Sequence, residues 1–302
     1  MASSNFTAST ATGHKLHPHT FLIPSHTLFI KAFMLVDMPT LLALYAHPDD
    51  EAFSGGVLAH YAKLGVDVHL ICATRGESGK ITDPSLSHIT DLGAQREQEL
   101  RDSCKALGIH GPIFLGYHDS GRFERTQNEN SNAFMHQDIF EVEAKLRPYI
   151  EELQPDILVT FDPHGGYGHI DHLIIHRAVT ALFYSSGTPK RLFYNVMPIA
   201  FSERMAQSGI NQNLDPKVYG VTDATIAVRL NVAHVLDQKM ASMQSHKSQM
   251  GANSRFAQMP PEYIQQMQEG MKWEHFALGG TRTPIHTFPL KGLFDGLGYD
   301  FD

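Results

Sequence analysis

The sequence predicts an α/β protein with a Rossmann-like open sheet, mostly parallel, and helices on both faces. Three observations carry that reading. From Thr40 onward, short apolar runs alternate with longer segments of helical spacing, the order expected of successive βαβ units. The strand-like runs are apolar almost throughout rather than at every second residue, which buries both of their faces. Residues suited to chemistry stand directly after strand ends, where open α/β sheets gather their sites.

Residues 41–46 read as the first strand, and its end runs into His47-Pro48-Asp49-Asp50-Glu51. Residues 54–64 read as a helix entered through Gly55-Gly56, and 66–73 as the second strand. Residues 89–107 carry apolar and charged positions at helical spacing and stop before Gly108. Residues 112–115 form a short strand candidate. Residues 138–153 predict a helix that Pro148 should kink or shorten. Residues 156–161 predict a strand, 170–184 a helix and 191–196 another strand. Beyond about 200 the pattern is less regular, with a strand over 224–230, a helix over 232–249 and a tail rich in Met, Pro and Gly. That part is expected to complete the rim of the site. Residues 1–38 read as an N-terminal extension, or as an overextended start with Met34 or Met38 as initiator. Residues 39–302 read as one domain.

Composition narrows the class. A chain of 302 residues with 42% hydrophobic and 19% charged residues has the balance of a soluble globular protein. Its net charge of −8 argues against a nucleic-acid surface, which needs clustered Lys and Arg. The segment 21–36 is interrupted by Pro24, Ser25, His26 and Lys31, so no membrane span is expected. Cys72 sits in a strand-like run and Cys104 in a helical one, which favours reduced buried thiols, a reducing compartment and hence the cytoplasm. His14, His17, His19 and His26 crowd the first segment without ligand spacing.

Two clusters carry chemistry. The first is His47-Pro48-Asp49-Asp50-Glu51; the second is Asp162-Pro163-His164-Gly165-Gly166-Tyr167-Gly168-His169-Ile170-Asp171-His172, after the strand 157–161. His47 and Asp50 are three residues apart and can share an ion, which leaves Asp49 pointing elsewhere and free to act on water. His169 and His172 have the same offset. Two histidines and one carboxylate leave a position for water, the mark of a catalytic rather than a structural zinc site. One histidine is then left over as an acid or an oxyanion donor. No Gly-x-Gly-x-x-Gly follows the first strand, so a nicotinamide oxidoreductase is disfavoured.

With those clusters, Thr74-Arg75-Gly76-Glu77, His118-Asp119-Ser120-Gly121 and His246-Lys247-Ser248-Gln249 make the chain resemble the PIG-L/LmbE family of metal-dependent N-acetylglucosaminyl de-N-acetylases, from about Leu41 to Gln249. The resemblance implies His47, Asp50 and His172 as metal ligands and Asp49 as general base. It implies His169 as oxyanion stabiliser or acid, oriented by Asp171, and Tyr167 as an oxyanion aid. Arg75 and Asp119 become contacts to sugar hydroxyls or the group beyond the sugar, and His246, read at a helix end facing the rim, is a further substrate-contact candidate. The cofactor is Zn2+ by expectation, with Fe2+ the alternative. The implied reaction removes acetyl from a small-molecule N-acetylglucosamine conjugate. The alternatives are an amidase acting on a larger amide, such as a thiol conjugate, and a non-catalytic sugar- or metal-binding relative. The assembly stays open between monomer and homo-oligomer. Ile170 departs from the family pattern, where proline is frequent, and alters the turn without touching the implied ligands.

Overall fold

The computed structural model describes residues 38–207 and 215–301, so the predicted extension and its histidines lie outside the described residues. Seven strands form one sheet in the order β3-β2-β1-β4-β5-β7-β6. They are β1 (Thr40–Tyr45), β2 (Asp67–Thr74), β3 (Ile113–Tyr117), β4 (Ile157–Phe161), β5 (Arg191–Asn195), β6 (Ile226–Asn231) and β7 (Trp273–Thr281). The first five pair in parallel. β7 lies antiparallel to both β5 and β6. The central pair β1 and β4 is buried at every position, which explains their continuous apolar runs.

The major helices are α1 (Gly55–Lys63), α2 (Leu92–Leu107), α3 (Ile139–Leu153), α4 (Ile170–Ser185), α5 (Ile199–Gln207), α6 (Leu236–Ser245) and α7 (Pro261–Met271). α1, α2 and α6 pack together, as do α3 and α4. Asp91 caps α2 by accepting from the Ala94 amide at 2.9 Å, and Gly108 ends it in the left-handed region.

Three expectations are corrected. Pro148 does not shorten α3, which runs on to Leu153. Ala144, whose carbonyl the proline leaves without its helical donor, is exposed, so water can serve it. The helix expected over 232–249 breaks at His246, where α6 gives way to a short turn, Lys247–Met250. β7 was not expected from the sequence at all, yet it ties the irregular C-terminal part into the sheet.

Candidate active site

Two loops leave the carboxyl ends of the neighbouring strands β1 and β4. The first is pulled into a tight turn because the His47 amide donates to Asp50 Oδ2 at 2.7 Å. Asp49 stands at φ 98°, a left-handed conformation uncommon outside glycine. Its amide donates to Glu51 Oε2 at 3.0 Å, and its carboxylate meets the Arg96 guanidinium at 3.0 Å. The second loop turns through Gly165, Gly166 and Gly168, all at positive φ. Asp162 Oδ1 accepts from the Gly166 amide at 2.8 Å. A Cβ on Gly165 would lie 2.7 Å from His172 Cβ, so glycine is required there by space as well as by φ. His169 then caps α4, its Nδ1 accepting from the Asp171 amide at 3.2 Å.

The loops bring His47 Nδ1 and His172 Nε2 to 3.1 Å. Asp50 stands 3.2 Å from the former and 3.3 Å from the latter. The outer nitrogen of each ring is held by an acceptor: His172 Nδ1 by the Gly165 carbonyl at 3.0 Å, and His47 Nε2 by Asp171 Oδ2 at 3.1 Å. With a proton on each outer nitrogen, the two inner lone pairs and a carboxylate face one point. Tetrahedral ligands at zinc–ligand distances stand about 3.3 Å apart, so this donor set fits a divalent cation. The anchoring of each imidazole by a backbone carbonyl or carboxylate is the usual support for metal-ligating histidines.

The electrostatics of the centre favour positive charge there. Burial opposes a charged His47, but Asp119, Asp171 and Asp50 outweigh it and hold the imidazole well above its ordinary range. Burial likewise opposes ionisation of Asp50, and His172 and His47 overcome it. Asp49 moves the other way. Burial raises it to about 6 despite Arg96, with Asp50 adding to the rise. His169 is pushed down to about 3 by burial, then by His47 and His172, and is therefore neutral near pH 7. Its Nδ1 accepts a hydrogen bond, so the proton of the neutral ring sits on Nε2.

The structure gathers His47, Asp49, Asp50, Asp119, Tyr167, His169, Asp171 and His172 around this centre. The Tyr167 ring packs edge-on to His172, with centroids 5.0 Å apart. Asp171 differs from expectation, because its carboxylate turns to His47 and the Ser120 amide while only its backbone amide holds His169. Arg75, expected as a substrate contact, stands away from the centre. Acidic residues at the start of α2 capture its guanidinium, Glu97 at 2.6 Å and Asp91 at 3.4 Å, and it lines neither cavity beside the centre. Arg96 is the arginine of this part of the chain that lines the cavity, where it grips Asp49. His246, also expected as a substrate contact, lines the second cavity beside the centre but is 1% exposed, with its Nε2 bonded to Glu51 Oε1 at 2.5 Å.

Arg96 and Glu51 are the residues that sequence reasoning missed or left undecided. A signal for Arg96 existed: it lies on the stripe Gly93, Arg96, Glu99, Leu100, Ser103, Cys104, Leu107, where two charges, Arg96 and Glu99, stand on the inward helix face. Its guanidinium also donates to the carbonyls of Pro48 and Gly76. Glu51 is a buried hub that accepts from Ser103 Oγ and His246 Nε2 as well as from the Asp49 amide.

Two cavities meet at Asp49 and Tyr167. One, of about 590 Å³, is floored by His47, Asp49, Asp119 and His169. The other, of about 390 Å³, is apolar and is lined among others by Phe53, Met197, Phe201, Met267, Met271 and Trp273. The Met-rich tail divides between two surroundings. Met259 is buried among apolar neighbours, whereas Met267 and Met271 face this second cavity.

A sequence profile of the PIG-L family, described as GlcNAc-PI de-N-acetylase, matches residues 42–183. The chain is 34% identical over 229 residues to the 1D-myo-inositol 2-acetamido-2-deoxy-alpha-D-glucopyranoside deacetylase of Actinosynnema mirum, covering 70% of this chain and 81% of that one. It is 30% identical over 280 residues to the enzyme of the same name from Acidothermus cellulolyticus, covering 85% and 95%. Among solved structures, the antimicrobial reagent A40926 pseudoaglycone deacetylase superposes with a TM-score of 0.55 over 80% of this chain and 97% of that one. At 18% identity this is a likeness of fold.

Proposed function

This chain belongs to the PIG-L family, and from that premise we propose that it is a metal-dependent hydrolase removing the acetyl group from an N-acetylglucosamine-containing small molecule. One observation carries the reading. Two imidazole lone pairs and the Asp50 carboxylate face a single point beside a carboxylate, Asp49, that is free of the ligand set. His47, Asp50 and His172 would hold the cation, with zinc the ion best suited to nitrogen and oxygen ligands. When bound, such an ion acidifies water and polarises an amide carbonyl.

The chain's own groups supply the rest. Asp49 takes a proton from the attacking water and returns it to the departing amine, the role that a carboxylate raised to about 6 can perform near neutral pH. Arg96 keeps that carboxylate ionised and aimed. Neutral His169 donates from Nε2 to the developing oxyanion, which favours oxyanion stabilisation over proton delivery for this residue. Tyr167 lies beside it as a second donor. Asp171 holds His47 in the tautomer that presents Nδ1 to the ion. Asp119, on the cavity floor, is positioned for a sugar hydroxyl.

The relatives named for the myo-inositol glycoside make that conjugate the first to test. Cys72 and Cys104 are both buried and free, which supports a cytoplasmic site of action. No helix among the described residues is long and apolar enough to cross a membrane. The purified protein should liberate primary amine from N-acetylglucosaminyl-inositol, measured with fluorescamine, and carry one metal ion per chain. Absence of amine release from metal-loaded protein across N-acetylglucosaminides would overturn the reading.

A further inference from the structure

The opposite end of the sheet holds a second cluster of metal-ligating side chains. Asp67 opens β2 and His69 follows two residues later, so both side chains stand on one face of the strand, while Val68 between them is buried on the other. His110 joins them from the connection between α2 and β3. That connection is laid along the strand because the His110 amide donates to the Val68 carbonyl at 3.1 Å. Asp67 is level with Thr40, the first residue of β1, whereas the catalytic turn follows the end of that strand. About 20 Å of strand therefore separates the cluster from the catalytic centre.

The three side chains converge on one point. His69 Nε2 lies 2.9 Å from Asp67 Oδ2, and His110 Nε2 lies 2.5 Å from Asp67 Oδ1. The imidazoles stack with ring planes 5° apart and centroids at 4.3 Å, the same nitrogen of each ring toward the carboxylate. One donor atom from each residue lies within 4.8 Å of the others. Among the described residues, no Lys or Arg pairs with Asp67, and neither histidine Nδ1 makes a hydrogen bond. Each neutral ring can therefore carry its proton on Nδ1 and present the Nε2 lone pair to an ion. The side chains of Asp67 and His110 are 38% and 57% exposed, which leaves room for water to complete a coordination shell.

Two imidazoles and one carboxylate are a donor set for borderline transition metals rather than for hard ions such as Mg2+ or Ca2+. Tetrahedral ligands at zinc distances stand about 3.3 Å apart. Outward movement of less than about an ångström, open to His110 on its exposed loop, brings the three donors to that spacing. We propose that Asp67, His69 and His110 form a second site for a divalent transition-metal ion, zinc above all, open to solvent and exchangeable. It lacks the acceptors that hold His47 and His172 from behind, so it binds more weakly than the catalytic centre. Its ion clips β2 to the connection leaving α2, the helix whose Arg96 grips Asp49. The site stands independently of the reaction assigned to the catalytic centre.

Calorimetric titration of the full-length protein with zinc tests it. Desalted wild type, holding the ion of its catalytic centre, should take up one further zinc per chain. His110→Gln and Asp67→Asn should each weaken that uptake by at least about 10–100-fold, since even groups behind a metal ligand are worth that much. Without added zinc both variants should melt near the wild type. With saturating zinc only the wild type should shift upward, because an ion bound to the folded state alone stabilises it. In His47→Ala/His172→Ala, which lacks the catalytic centre, one zinc should still bind, and adding His110→Gln should remove it. That arm reads the second site without reference to catalysis. Absence of uptake beyond the first ion would overturn the proposal and leave a hydrogen-bonded cluster. A further ion that persists in both His110→Gln and Asp67→Asn would overturn the assignment and place it on other histidines of the chain.

Discussion

The loops after β1 and β4 meet at one point but are built in different ways. The β4 loop is held locally. His172 is fixed by Gly165 seven residues earlier, His169 by the Asp171 amide two residues on, and the turn by Asp162. The β1 loop is held from afar. Asp49 is gripped by Arg96 on α2, while Glu51 is tied to Ser103 on the same helix and to His246, 195 residues away. Ser103 in turn reaches Ser242 on α6 at 2.7 Å. The locally held loop presents a ligand and a neutral donor, which need only fixed direction. The remotely held loop presents the base, whose charge state and strained backbone both have to be maintained.

The largest effects fall where the loops share work. His47→Ala and His172→Ala should each abolish metal binding and amine release together, read by metal analysis of the purified variants. Asp49→Asn should keep the metal and lose roughly 10²–10⁴-fold in kcat. Near-normal turnover in Asp49→Asn would remove the base from the first loop and erase the contrast. His169→Gln should retain metal and lose about 10²–10³-fold in kcat, the cost of one oxyanion donor. A similar loss accompanied by metal release would make His169 a ligand, and the β4 loop a more crowded metal holder than its geometry suggests.

A smaller effect tests the remote support itself. Glu51→Gln removes a buried charge but leaves an oxygen able to accept from the Asp49 amide. It should lower kcat by about 10-fold with KM little changed, as for groups that orient catalytic residues from behind. Lower thermal stability with unaltered kcat would make the Glu51–His246 pair part of the scaffold alone.

The same contrast explains what could be read from the chain. The metal-directed residues were legible because each loop packs them into one short run beside an apolar strand, so local spacing and strand position suffice. Five parallel strands were legible as short apolar runs, of which β1, β4 and β5 are buried throughout. Arg96 was only partly so: its place on the inward stripe of α2 was visible, but packing of α2 against the first loop decides that it, rather than Arg75, meets Asp49. His246 was visible as a residue, but its partner Glu51 emerges only when α6 breaks beside the turn. β7 escaped because Gly279 and Gly280 read as loop, whereas in the sheet they make room: Cβ atoms there would lie 2.6 Å from Tyr194 and 2.4 Å from Phe183. Lys80, Arg122 and Arg255, which line the larger cavity, come from three separate segments and had no motif to announce them.

The smallest expected effect is also the sharpest on electrostatics. Burial drives Asp49 up to about 6, and Arg96 at 3.0 Å works against that rise. A base acts only when ionised, so activity should fall as pH drops through the Asp49 pKa. A bound cation draws that value lower in the wild type and the variants alike, so the difference between them is the quantity to read. In Arg96→Met the favourable cation is gone and protonation becomes easier. The pKa therefore rises, and the acid limb of kcat/KM should move to higher pH by about one unit. Arg96→Lys, which keeps the charge, should leave the limb near its original position even if turnover suffers from the lost grip on the Pro48 and Gly76 carbonyls. Profiles between pH 4 and 8 for the three proteins separate these roles. An unmoved limb in Arg96→Met would mean that the titrating group is not Asp49, and that the long reach from α2 serves geometry rather than charge.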